Sequence, residues 1–213
     1  MRRRLSLLLL ILTSSNLLGQ ERSFQLWNLN VIQAKVTDRF TLGVTEKVQY
    51  TTESGAFNLK YGDLSVTYAV NSWFSIGVGG RLLHSRKGEE WKREQRPMVF
   101  GDMDGSWRKV TYNFSNRIEY RFIESGTNHF RHWQMFRVEM PPFRAPWFSL
   151  YVAEESFIPI DPLSLQTARF YAGTKVKYTK NLAMRVYYVL EKRKSTPSWS
   201  TGDVLGLNLI VLI

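Results

Sequence analysis

The sequence predicts an all-β protein: an antiparallel, up-and-down transmembrane β-barrel of ten to twelve strands behind a cleavable export signal. Three observations predict it. After residue 20 the helical period is hard to find, and apolar and polar residues alternate instead, the signature of strands with two unlike faces. The alternating segments are longer than the five or so residues usual in soluble domains. Their polar rows carry charges of both signs, as in Arg117, Glu119 and Arg121 opposite Tyr112, Phe114, Ile118, Tyr120 and Phe122.

The first twenty residues read as a secretory signal, with the basic stretch MRRR, the apolar run LSLLLLIL and the small-residue stretch TSSNLLGQ. The apolar run is too short to cross a bilayer as a helix, which takes about 20 residues. Residues 21–213 then form one barrel domain, since neither a repeat nor a linker divides them. The chain has no cysteine, which excludes a disulfide framework, a thiolate metal site and a lipoprotein anchor.

Candidate strands fall at 24–36, 40–53, 57–70, 73–86, 93–104, 108–123, 129–140, 147–157, 167–179, 182–193 and 202–213. Eleven is odd, whereas bacterial single-chain barrels have even numbers. Twelve is therefore preferred, with a strand missed near the N-terminus. Ten follows if 93–104 or 147–157 does not span. Compact turns at TDR (37–39), NS (71–72), DGSW (104–107), PPFRAP (141–146) and TKN (179–181) alternate with the longer polar stretches ESGA, SRKGEEWKRE, ESGTNH, FIPIDPLSL and EKRKSTPSWST. Short turns at one end and long loops at the other fit an outer-membrane barrel. Phe40, Trp73, Trp107, Trp147 and Tyr178 each flank a compact turn, so they are expected to form an aromatic girdle at one membrane interface.

On this reading the apolar rows face lipid and the charged rows face the lumen. The luminal lining is Arg117, Glu119, Arg121, Arg137, Glu139, Glu155, Arg169, Lys175, Lys177 and Arg185. Buried charge is costly unless paired, so these rows are expected to form ion pairs that largely fill the lumen. Their basic excess favours a narrow anion path. Glu46 is an exception, falling on an apolar row. GVGGR (77–81) lies inside a strand pattern and lacks the Lys-Ser/Thr and helix of a phosphate loop. It is expected where the sheet bends or a bulky luminal side chain needs room.

The net charge of +11, of which Arg2, Arg3 and Arg4 supply three, favours anionic partners. The basic residues are spread along the chain, so nucleic acid is not expected. The expected partners are outer-membrane lipid and lipopolysaccharide, the barrel-insertion machinery and a small anionic solute. No catalytic residue, cofactor or metal is assigned. In HFRH (129–132) the two histidines point to opposite faces of a strand. Ser115 and His132 are conceivable as a Ser–His pair across the hairpin of 108–123 and 129–140, but no G-x-S-x-G accompanies them. A lipid-modifying barrel enzyme and a soluble periplasmic lipid-binding barrel remain as alternatives. The second would turn the faces inside out.

The Trp27-led first strand, EQRP (94–97), SNRIEYRF (115–122), MFRVE (135–139) and AEESF (153–157) before ARFYAG (168–173) resemble the outer-membrane barrels of domain-of-unknown-function family 2490, common in Bacteroidetes. The resemblance covers nearly all of the mature chain. It implies an outer-membrane barrel in a Gram-negative bacterium and no known activity. The terminal LIVLI departs from the aromatic ending of many bacterial barrels.

Overall fold

The computed structural model describes residues 22–124, 126–142, 145–161, 163–195 and 198–213. The export-signal segment 1–20 lies outside these residues. The described residues form eleven strands: β1 (Arg22–Lys35), β2 (Phe40–Thr51), β3 (Ala56–Ala69), β4 (Phe74–Lys87), β5 (Glu90–Trp107), β6 (Val110–Ile123), β7 (His129–Glu139), β8 (Phe148–Pro159), β9 (Thr167–Lys177), β10 (Leu182–Ser195) and β11 (Ser198–Leu212). Each pairs antiparallel with the next, and β1 joins β11 to close the barrel.

The preference for twelve strands is corrected to eleven. Every expected segment is a strand, 93–104 and 147–157 included, and the barrel needs no further strand near β1. An up-and-down sheet with an odd count has its first and last strands running the same way. The closing pair is accordingly parallel, in continuous register from Arg22↔Thr201 to Gln33↔Leu212. Parallel hydrogen bonds are slanted but complete, so the closed sheet has no open edge. Lys35 N donates to Ile213 O and Ile213 N to Gln33 O, each at 2.8 Å, which carries the seam to its end.

The expected contrast in loop length is also corrected. One end, here the Trp107 end, carries the connections 36–39, 70–73, 108–109, 140–147 and 178–181. The other, the Gly88 end, carries 52–55, 88–89, 124–128, 160–166 and 196–197. Most of SRKGEEWKRE is strand, because β4 and β5 stay paired as far as Lys87↔Glu90. β10 and β11 likewise stay paired to Ser195↔Ser198. Residues 86–91 are exposed, so charged side chains on both faces meet water while the backbone ladder continues. No apolar row marks the strand there, and the pattern reads as loop. DGSW belongs to β5, and the turn falls one step later at Arg108 and Lys109, with φ of 47° and 70°. Two positive φ values suit the tight hairpin that a right-twisted ribbon needs, although neither residue is Gly.

The two faces of the barrel are unlike. Outward rows are apolar and exposed, with Leu64 67% and Val78 56% accessible. Inward rows are polar and buried, with Glu119 only 1% accessible. An apolar interior patch of Trp27, Tyr151, Tyr187, Val189 and Val204, joined by Tyr171, fills one side of the lumen. Glycine makes room for these rings. A Cβ at Gly206 would lie 2.2 Å from the Tyr187 ring. On the opposite wall Gly77 plays the same part, since its Cβ would lie 2.3 Å from the Phe100 ring. GVGGR therefore accommodates a bulky luminal side chain, the second of the two roles expected for it.

Candidate functional site: the charged lumen

Strand alternation puts all ten expected lining residues on inward rows. Arg117, Arg121, Arg137, Glu139, Glu155, Arg169, Lys175 and Arg185 border a cavity of about 1500 Å³. Glu119 sits beneath guanidinium groups of that wall, and Lys177 is exposed at the Trp107 end. The cavity lining extends from Ser72, Ser106 and Thr111 at the Trp107 end to Gln166, Thr167 and Arg193 at the Gly88 end.

Toward the Gly88 end the charges are paired. Glu94 accepts from Arg96 Nε at 2.6 Å and from Arg121 Nε at 2.5 Å. Glu119 accepts from Arg131 Nε at 2.5 Å, with Arg117 at 3.2 Å and Arg96 at 3.8 Å. Arg169 joins Glu191 at 2.6 Å and Glu155 at 3.0 Å, and Glu155 also accepts from Trp133 Nε1 at 2.7 Å and Tyr171 OH at 2.5 Å. Lys47 Nζ stands 3.4 Å over the Trp27 ring. At mid-height Arg81 grips Asp63 with a two-pronged contact, both bonds 2.6 Å. Such forked pairs are the strong form of an ion pair. Breaking one by removing a single partner is costly, because a buried charge is left alone.

Toward the Trp107 end the pattern changes. Lys175 and Glu139 pair at 2.8 Å. Arg137 and Arg185 form no ion pair among the described residues, and the buried Nε of each has no hydrogen-bond partner. Arg137 Nη2 reaches only Met135 Sδ, at 3.3 Å. Asp102 and Asp104 accept hydrogen bonds from Ser115 and Asn113.

Lys47, Asp63, Arg81, Glu94, Arg96, Arg131 and Glu191 belong to this site and were not among the expected lining residues. Hairpin register points to several of them. Arg131 lies directly opposite Glu119, Arg81 opposite Asp63, and Glu191 opposite Arg169. Opposite charges facing each other across a ladder are favoured neighbours.

The conceivable Ser115–His132 pair does not form. Ser115 is inward and donates to Asp102, whereas His132 is outward and contacts Asn116 Oδ1 at 3.2 Å. An odd and an even position on paired strands of this register cannot share a face. His129 is inward, 3.2 Å from Arg121 Nη1, so the two histidines of HFRH do face opposite ways. Glu46 is outward and exposed beside Asn30. The five girdle aromatics all lie at the Trp107 end, between 45% and 67% accessible, and Trp73 also borders the mouth of the lumen.

A closed barrel with exposed apolar rows outside and paired charges inside is the class this geometry defines. The chain belongs to the family described as protein of unknown function DUF2490, whose model matches residues 24–201. Comparison with curated proteins finds no match. Among solved structures, the anion-selective porin from Comamonas acidovorans is similar, with a TM-score of 0.41 and 10% identity. The aligned region covers 80% of this chain and 57% of the porin.

Proposed function

We propose that this chain is an exported, membrane-spanning barrel of a Gram-negative outer membrane, with a narrow, largely side-chain-filled lumen that binds and passes small anions. The observation that carries the reading is the reversal of faces. A soluble lipid-binding barrel needs an apolar interior and a wetted exterior. Here Leu64, Val66, Val78, Val99, Val152 and Leu205 are exposed, while Glu94, Arg96, Glu119, Arg131, Glu155 and Glu191 are buried. Apolar bands outside a polar interior suit hydrocarbon, and closure satisfies the backbone there.

The anion preference rests on the wall of the lumen. Twelve of its residues are Lys or Arg and six are Asp or Glu, so the path carries a positive field. The partners this role implies are outer-membrane lipid and lipopolysaccharide, the insertion machinery and a small anionic solute. Nucleic acid is left out because much of the cationic charge lines the lumen. A lipid-modifying enzyme is disfavoured because Ser115 and His132 stand on opposite faces.

Two measurements test the proposal. In isolated outer membranes the protein should stay with the bilayer and change gel mobility on boiling in SDS. A carbonate-extractable protein with no shift would sink the membrane reading. In planar bilayers under a KCl gradient the reversal potential should report anion preference. Cation preference would overturn the anion reading, and a heat-modifiable protein without conductance would leave a binding barrel with a closed lumen.

A further inference from the structure

The unpaired arginines at the Trp107 end define a site more specific than a positive field. Arg185 has the like charge of Lys175 directly opposite it on β9. Like charges in that position repel. Lys175 pairs with Glu139, which attracts Arg185 from a distance without pairing with it, and the nearby charge of Arg137 adds to the repulsion. Asp102 attracts Arg137 from a distance without reaching it. Opposite Arg185 on its other side, Asn208 is 8% accessible and lines the cavity, and its Oδ1 has no partner. An Asn amide presents an oxygen or an NH₂ according to its neighbours, and the two are assigned by the hydrogen-bond network. The NH₂ end of that amide is the donor it can offer to an anion. The Tyr151 ring supports Arg185, with the guanidinium carbon 5.5 Å from its centroid.

We infer that Arg137, Arg185 and Asn208 form a binding site for a doubly charged tetrahedral oxyanion, phosphate or the phosphate group of a small monoester. The site deepens the anion reading proposed above and rests on it. Two guanidiniums that form no ion pair among the described residues supply two charges and several forked donors. That chemistry matches a dianion with several acceptor oxygens better than it matches chloride. Among the described residues the Gly88 half of the lumen offers no equivalent, because its guanidiniums are already committed to Glu94, Glu119, Glu155 and Glu191.

The test is calorimetric titration of the full chain, folded in detergent micelles, with inorganic phosphate and with glycerol phosphate against a chloride background. Phosphate should bind saturably, with one site per barrel, and tenfold more chloride should not displace it. Arg137→Gln and Arg185→Gln should each weaken binding at least tenfold, and Arg137→Lys should recover part of the loss. Boiling-dependent gel mobility verifies that each variant has folded. Displacement by equimolar chloride, or no saturable heat with the wild type, would overturn the site without recourse to any variant. Anion preference in bilayers without phosphate binding would refute this inference alone, whereas cation preference would refute the reading beneath it. Binding of both probes would assign the site to the phosphate group itself, and binding of inorganic phosphate alone would restrict it to the free ion.

Discussion

The two halves of the lumen use arginine in opposite ways. Toward the Gly88 end Arg96, Arg121, Arg131 and Arg169 are all held by carboxylates, and Trp133 and Tyr171 add hydrogen bonds to Glu155. Toward the Trp107 end Arg137 and Arg185 form no ion pair among the described residues, and the buried Nε of each has no hydrogen-bond partner. A paired, buried guanidinium holds strands together and has little charge left for a solute. An unpaired one contributes little to the fold and leaves its field in the path. The sign of a lining residue therefore matters less than whether its counter-charge is already in the protein.

The largest effect should come from Glu119→Gln. It removes the carboxylate beneath Arg131, Arg117 and Arg96. Stranding buried charges in this way costs about 3–5 kcal/mol. The temperature at which gel mobility shifts should fall well below that of the wild type, while ion preference changes little. An unchanged shift temperature would erase the distinction between the two halves.

Gly77→Val should come next. Its Cβ would meet the Phe100 ring at 2.3 Å and the Val66 carbonyl at 2.6 Å, the latter fixed backbone. Overpacking of this kind costs about 1–3 kcal/mol. Gly80→Ala, where a Cβ meets nothing within 4 Å, is the control on the same strand.

Arg185→Gln sharpens the comparison from the other side. Loss of a like charge beside Lys175 should leave stability within about 1 kcal/mol of wild type, or raise it. The reversal potential should move toward neutrality, and a marked loss of stability with unchanged preference would reverse the roles given to the two halves. The smallest effect is expected for Trp107→Ala. The Arg108 guanidinium carbon lies 4.9 Å from the Trp107 ring, an exposed cation–π contact worth about 0.5–1 kcal/mol. Its loss should shift the unfolding temperature slightly and leave selectivity alone.

Much of this barrel is legible along the chain. Strand positions agree to within a few residues because alternation survives wherever one face is apolar. That is why 111–122 sorts so cleanly into Ile118 and Phe122 outside and Glu119 and Arg121 inside. Legibility fails where the apolar row stops. Residues 86–91 carry charge on both faces, so strand and loop look alike there. It fails also for the seam, since nothing local to β1 or β11 says that they will meet in parallel. Within the lumen, pairs directly opposite in a hairpin, such as Glu119 and Arg131, follow from register alone. The isolation of Arg137 and Arg185 does not, because it depends on what neighbouring strands fail to supply.

The parallel seam has a consequence for sidedness. β1 begins at the Gly88 end, and β11 stops at the Trp107 end. Any wall this barrel crosses therefore separates the entry to the first strand from the exit of the last. An epitope placed after Ile213 and a protease site placed within 52–55 would report on opposite compartments. Labelling both in intact cells would fix the orientation of the molecule in one experiment.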